Sequence, residues 1–135
     1  MRLLIDANIV LDVLQKREGL WKDSSLVWKL CETEQAEGFI SALTFANLVY
    51  VMRKELDAEQ IHDVLKKLQL IFRFADFSAA DMEKAAEMKW DDYEDAIQAA
   101  TAERIMADFI VTRNVRDFNQ SKVIAFTPAE LIARI

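Results

Sequence analysis

The chain has 135 residues and a net charge of −6, with 53% apolar and 30% charged side chains. That length holds one full hydrophobic core rather than two, and the composition excludes a disordered chain. The acidic balance runs against binding nucleic acid through a generally basic surface, but does not count against a metal-dependent enzyme whose own carboxylates supply part of the charge.

Residues 3–5 are a short apolar run ending at Asp6, the pattern of a buried parallel strand. The charge at Asp6 comes too early for the apolar core of a signal peptide. Residues 8–14 carry Ile9, Val10, Val13 and Leu14 at helical spacing, and Gly19 breaks the pattern. A helix is predicted over residues 24–37, with Leu26, Val27, Leu30 and Cys31 on its inner face, followed by a strand over 38–41. Residues 44–54 are apolar almost all round, which predicts a helix buried on several sides, in the core or against a partner chain. Thr44 and Asn47 interrupt the apolar stretch 42–52, which falls short of a membrane span. These features together predict a cytoplasmic protein, and the lone Cys31 fits a reducing compartment.

Asp57 and Gln60 have the spacing of a capping box and open a helix running to about residue 69. Residues 70–74 are predicted as the third strand. Ser78 caps a helix ending near Lys89, and residues 91–107 form another with acids in its first turn. Residues 109–112 and 123–126 are the last two strands. Thr127, Pro128 and Glu130 combine an N-cap, a first-turn proline and a third-position acid, a strong start for a final short helix. Strands alternating with helices predict βαβ units, a parallel sheet and helices on both of its faces, with residues 1–135 forming a single domain.

Several chemistries are absent. Gly19 and Gly38 are the only glycines, so there is no glycine-rich phosphate loop. One histidine, His62, and one cysteine cannot build a Cys/His zinc site. His62 lies in a charged helical stretch with no nucleophile motif beside it, which leaves no Ser-His-Asp triad. Carboxylate chemistry remains.

In open parallel sheets, ligands sit beyond the carboxyl ends of the strands. Asp6 and Asn8 follow the first strand, and Thr112, Asn114 and Asp117 follow the fourth, so both groups are expected at one edge. Asp92 and Asp95 share a face of one helix, in the first turn, where the dipole and free N–H groups favour negative charge. Taken singly, each acid reads as a turn residue or helix cap. Together they are a set of hard oxygen donors that a divalent cation would relieve of mutual repulsion.

The joint pattern resembles the PIN-domain family, including VapC-type toxins. The matching pieces are Leu3-Leu4-Ile5-Asp6-Ala7-Asn8, Ile40-Ser41-Ala42-Leu43-Thr44-Phe45-Ala46-Asn47, Asp92-Tyr93-Glu94-Asp95-Ala96, Thr112-Arg113-Asn114-Val115-Arg116-Asp117-Phe118 and Thr127-Pro128-Ala129-Glu130-Leu131. The resemblance implies a three-layer α/β/α fold with a five-stranded parallel sheet. It also implies an endoribonuclease dependent on Mg²⁺ or Mn²⁺, the toxin of a type II toxin–antitoxin pair, a homodimer with an antitoxin partner. Carried over by position, Asp6, Asp95 and Asp117 are the metal cluster, and Asp92 is a further ligand or water-holding group. Thr112 and Asn114 orient the last acid or contact phosphate, and Asn8 and Arg113 join the substrate-orienting set.

Position 47 departs from the family, which commonly carries Glu where this chain has Asn47. The change removes one negative charge and puts a second metal in doubt, with Asp92 as a candidate compensation. It also supports an alternative, a PIN-fold module that binds RNA or protein with weak or lost catalysis. A receiver-type phosphoacceptor domain, with Asp76 as acceptor, lacks the acidic pair and late lysine that such domains need. Arg113 and Arg116 flank Asn114 as candidate RNA contacts, and Arg53 and Lys54 end the apolar helix; solvated surface charge is an equal reading of all four. Among the tryptophans, Trp28 is expected in the core and Trp90 beside the site.

Overall fold

The computed structural model describes residues 1–135. Five parallel strands form one sheet in the order β3-β2-β1-β4-β5, where β1 is Arg2–Ile5, β2 Glu37–Ser41, β3 Arg73–Ala75, β4 Phe109–Val111 and β5 Ile124–Phe126. The helices are α1 Ala7–Leu14, α2 Trp21–Glu32, α3 Ala42–Met52, α4 Ala58–Ile71, α5 Ala79–Met88, α6 Tyr93–Arg104 and α7 Pro128–Ala133, with a 3-10 turn at Val115–Phe118. None is long and apolar enough to cross a membrane.

Alternation along each strand makes the three layers. Leu3, Ile5, Ile40 and Val111 point into one core, where they meet α1, α2, α3, α4 and α7 through residues such as Ile9, Val27, Leu48, Leu68 and Leu131. Leu4, Ile110 and Ala125 point to the other face, against Ala99 and Ala102 of α6 and against Phe118. Both faces of β1 are therefore covered, which explains its unbroken apolar sequence. A buried polar lock joins α5 to α6: Asp81 accepts Arg104 Nε at 2.9 and 3.1 Å and the Thr101 hydroxyl at 3.3 Å.

The predicted third strand at residues 70–74 is displaced. The capping box at Asp57 and Gln60 is present and starts a helix that runs on to Ile71. Its apolar face, Ile61, Leu65 and Leu68, keeps helical spacing, while Leu70 is 87% exposed, so the local apolar run belongs to helix and β3 starts only at Arg73. Two other helices differ from expectation. The α2 helix starts at Trp21 and ends at Glu32, and its buried seam is Ser24, Val27 and Cys31; Leu26 faces outward. The α3 helix buries a single stripe, Thr44, Leu48 and Met52, and leaves Tyr50 67% exposed. Trp28 packs edge-on against Phe72 at 5.2 Å, in the core as its spacing predicts.

Gly38 is required by close approach. A Cβ there would stand 2.5 Å from Cys31 Sγ and 2.8 Å from Phe72 Cδ1. Gly38→Ala is expected to lower stability by about 1–3 kcal/mol, the usual cost of overpacking. Urea unfolding at fixed pH measures it, and an unchanged midpoint would contradict the packing described.

Candidate active site

The site grows from the carboxyl end of the central strand. The amide of Asp6 continues the ladder, donating to the Val111 carbonyl at 3.0 Å, and the residue then turns out to cap α1. Asp6 Oδ1 accepts the Ala7 amide at 2.8 Å, and Oδ2 accepts the Thr112 hydroxyl at 2.8 Å. Thr112 is fully buried, and its oxygen also accepts the Asn114 amide at 3.1 Å, so one hydroxyl ties β1 to the loop after β4. Burial pushes the Asp6 carboxyl up from its ordinary value and the nearby Asp117 charge adds to this; the Thr112 and Ala7 hydrogen bonds and the Arg113 charge pull it back.

That loop winds into the 3-10 turn, anchored by buried Phe118, and presents Asp117 to solvent. Across from it stands the first turn of α6. Asp92 is the N-cap rather than a helical residue, its Oδ1 accepting the Asp95 amide at 3.0 Å. Asp95 is half-buried, and its carboxyl is pushed up to about 6, first by desolvation and then by Asp92, Asp117, Asp6 and Glu94. Three of the four acids named from sequence, Asp6, Asp92 and Asp117, thus act electrostatically on the carboxyl of the fourth, Asp95. Asp92, Asp95 and Asp117 share a cleft of about 360 Å³ with Lys89, Trp90 and Arg116. Trp90 is half-buried and stacks edge-on toward Phe118 at 6.2 Å, which places it on the cleft wall.

The remaining expected residues fall into two groups. Asn8 is half-buried in the first turn of α1, and Asn114 exposes its side chain at the head of the 3-10 turn. Asn47 is exposed on α3 and donates from Nδ2 to Glu94 Oε1 at 3.2 Å. Arg113 turns away from the cleft: its Nη1 lies 3.5 Å from Oδ1 of Asp12, which is fully buried. Asp12 also accepts the Ser24 hydroxyl at 3.1 Å and faces Arg17 at 3.5 Å. Buried charge must be paired, so the site side of Arg113 is constrained by α1 and α2. Asp76 lies beyond the edge strand β3, two strands from Asp6, and its carbonyl accepts Arg104 Nη2 at 2.7 Å.

Three contributors escaped the sequence reading. Asp12 is an acid on the inner face of an apolar helix, a visible oddity. Glu94 sits inside the quoted acidic motif beside Asp95. The third is a buried relay: Gln98 Nε2 and the Ser41 hydroxyl both donate to Thr44 Oγ1, at 2.9 and 3.0 Å. It fixes α3 against α6 one turn below Asn47 and Asp95, and nothing in the sequence pairs these residues.

The donor set fits a hard divalent cation. Its atoms are carboxylate oxygens; desolvation and then neighbouring acids raise Asp6 and Asp95, and a cation would favour their charged forms. No three His, Cys, Asp or Glu side chains stand close enough together to form a metal-holding group. Carboxylate oxygens are the donor type taken by hard divalent cations that keep waters in their shell.

A family model described as "PIN domain" matches residues 2–116. No curated protein sequence matches. Among solved structures, VapBC2 from Rickettsia felis, bound to a DNA fragment from its promoter, superposes with a TM-score of 0.74 at 20% identity, covering 94% of this chain and 98% of that one. A toxin–antitoxin complex from Klebsiella pneumoniae gives 0.72 at 22% identity, with 93% and 97% covered. VapC20 from Mycobacterium tuberculosis, a toxin that cleaves the sarcin-ricin loop, gives 0.64 at 11% identity, with 80% and 86% covered. At these identities the structural likeness establishes the fold, and the sequence model, spanning most of the residues, establishes descent: the chain belongs to the PIN-domain family.

Proposed function

We propose that this protein is an Mg²⁺- or Mn²⁺-dependent endoribonuclease, the toxin of a type II toxin–antitoxin pair, working in the cytoplasm as one domain over residues 1–135. The observation that carries the reading is the convergence of Asp6, Asp95 and Asp117, from distant segments, with Asp95 pushed up to about 6 by desolvation and then by its acidic neighbours. A residue so perturbed in an open cleft marks a functional site. Asp6, Asp95 and Asp117 would hold the cation, which when bound would supply polarisation of a phosphoryl oxygen and acidification of a water. Thr112 keeps Asp6 Oδ2 aimed, and Asp92 fixes the first turn of α6 and so the direction of Asp95. Asn8 and Asn114 offer neutral donors to a phosphate at the rim.

The overall charge does not prevent RNA approach, because Lys89 and Arg116 line the cleft itself. Arg113 serves from behind, its guanidinium committed to Asp12 and its charge still lowering Asp6. The complexes of the structural relatives support an antitoxin as partner. The half-stripe of α3 left uncovered, with Tyr50 exposed, supports a homodimer or an antitoxin contact there. A second reading, binding without turnover, is favoured by the neutral Asn47 at the position where the family resemblance leads one to expect Glu.

Purified protein is expected to cut RNA with Mn²⁺ and not with EDTA. Asp6→Asn and Asp95→Asn are each expected to lose at least about 100-fold, the scale of removing a group that acts in the transition state. Undiminished cleavage by either variant contradicts the assignment, and metal binding without cleavage by the unaltered protein favours the binding module.

A pH dependence follows in the metal-free protein. The folded-state pKa of Asp95 is raised, so its stabilising protonation is complete below about 3.8 and lost as pH rises through about 6. Asp95→Asn in EDTA is therefore expected to melt higher than the unaltered protein at pH 8, with the difference closing by pH 4. Equal melting temperatures at pH 8 contradict the crowding.

A further inference from the structure

Resting on the ribonuclease reading above, we propose that Trp90 selects RNA with an unpaired base at the cleft, stacking that base on its ring while Lys89 and Arg116 hold the flanking phosphates. Trp90 is the only apolar side chain lining the cleft of about 360 Å³ onto which Asp95 and Asp117 open. Base faces are flat and apolar, and an aromatic ring takes any of them without reading its sequence.

The ring is anchored before any ligand arrives. Lys89 ends α5 in the left-handed conformation, with φ 58°, and the turn that follows lays Trp90 beside both α5 and α6. Its inner side packs against the cluster of Ala85, Ala96 and Ile97 and meets Phe118 at 6.2 Å. Its Nε1–H has no acceptor in the protein and, in contrast to that of Trp28, is open to solvent. A ring held in this way has little freedom left to lose when a base stacks on it.

The other lining side chains supply what the rest of a nucleotide needs. Lys89 and Arg116 carry charge for phosphate, and Asn119 and Gln120 bring amides that both donate to and accept from a base edge. A sugar-phosphate backbone alone would call only for the cations; an aromatic ring with two amides near it is the chemistry of a base. An apolar protein segment is a poorer occupant, since eight of the nine lining residues are charged or carry amides. In a duplex the base faces are already covered, so the ring accepts a base from an unpaired stretch.

Fluorescence anisotropy of a short labelled RNA, single-stranded or annealed to its complement, tests this on the purified full chain. Ca²⁺ is present, a hard cation of flexible geometry, because the acids of the cleft repel phosphate when no cation offsets them. The single strand is expected to bind more tightly than the duplex and to quench tryptophan emission. Trp90→Leu, which keeps an apolar side chain against Ala85 and Ile97, is expected to weaken single-strand binding by about tenfold. Trp90→Phe is expected to keep most of the affinity, because its ring still stacks, and to lose the quenching. Melting curves establish that both variants are folded. Single-strand affinity in Trp90→Leu equal to that of the unaltered protein overturns the role of Trp90, and Mn²⁺-dependent cleavage by the same variant leaves the nuclease reading standing. A duplex that binds as tightly as the single strand overturns the choice of an unpaired base. Absence of RNA binding in the unaltered protein overturns both readings together.

Discussion

Asp6 cannot leave the carboxyl edge of the central strand. Its amide is bound to Val111, one carboxylate oxygen caps α1, and the other accepts a hydroxyl buried beneath the loop after β4. Everything else in the site is placed relative to this fixed charge. The Thr112 hydroxyl couples β1 to the turn that carries Asp117, and the Asp92 cap orients the helix end that carries Asp95. The sheet order sets the plan: with β1 in the middle, the α3 side and the Asp117 side lie on opposite flanks of Asp6.

This arrangement works against stability. Backbone amides and hydroxyls hold acids where their charges raise one another, and burial of Asp6 and Asp95 adds desolvation. Elsewhere the protein pairs its buried acids: Asp12 with Arg17 and Arg113, Asp81 with Arg104. The contrast is with these two buried acids, whose charge folding could not leave unpaired. The proposed cation would offset the repulsion among the acids of the site.

Much of this was legible in the sequence. The strand and helix alternation, the caps at Asp57, Ser78 and Thr127 and the end-of-strand acids follow local rules that tertiary packing did not override. The third strand was misplaced because residues 70–74 are apolar under either period, and only burial of Leu68 against exposure of Leu70 decides for helix. The α2 face was shifted for a similar reason, since Leu26 looks apolar but buried Ser24 is the inward residue. At the site, Asn47 was visible but its hydrogen-bond partner, Glu94, was not. The hydrogen bond joining them crosses from α3 to α6, and no spacing rule spans that distance. Arg113 shows the same limit: its neighbours in sequence suggest RNA, whereas its contact is an aspartate 101 positions earlier.

The central claim is that one cation sits among Asp6, Asp95 and Asp117. Diffraction from crystals soaked in Mn²⁺, recorded at a wavelength where manganese scatters anomalously, tests it most directly. The account predicts an anomalous peak within coordination distance of oxygens from Asp6, Asp95 and Asp117. A saturating soak that leaves this cleft without a peak, or puts manganese only elsewhere on the protein, would contradict it.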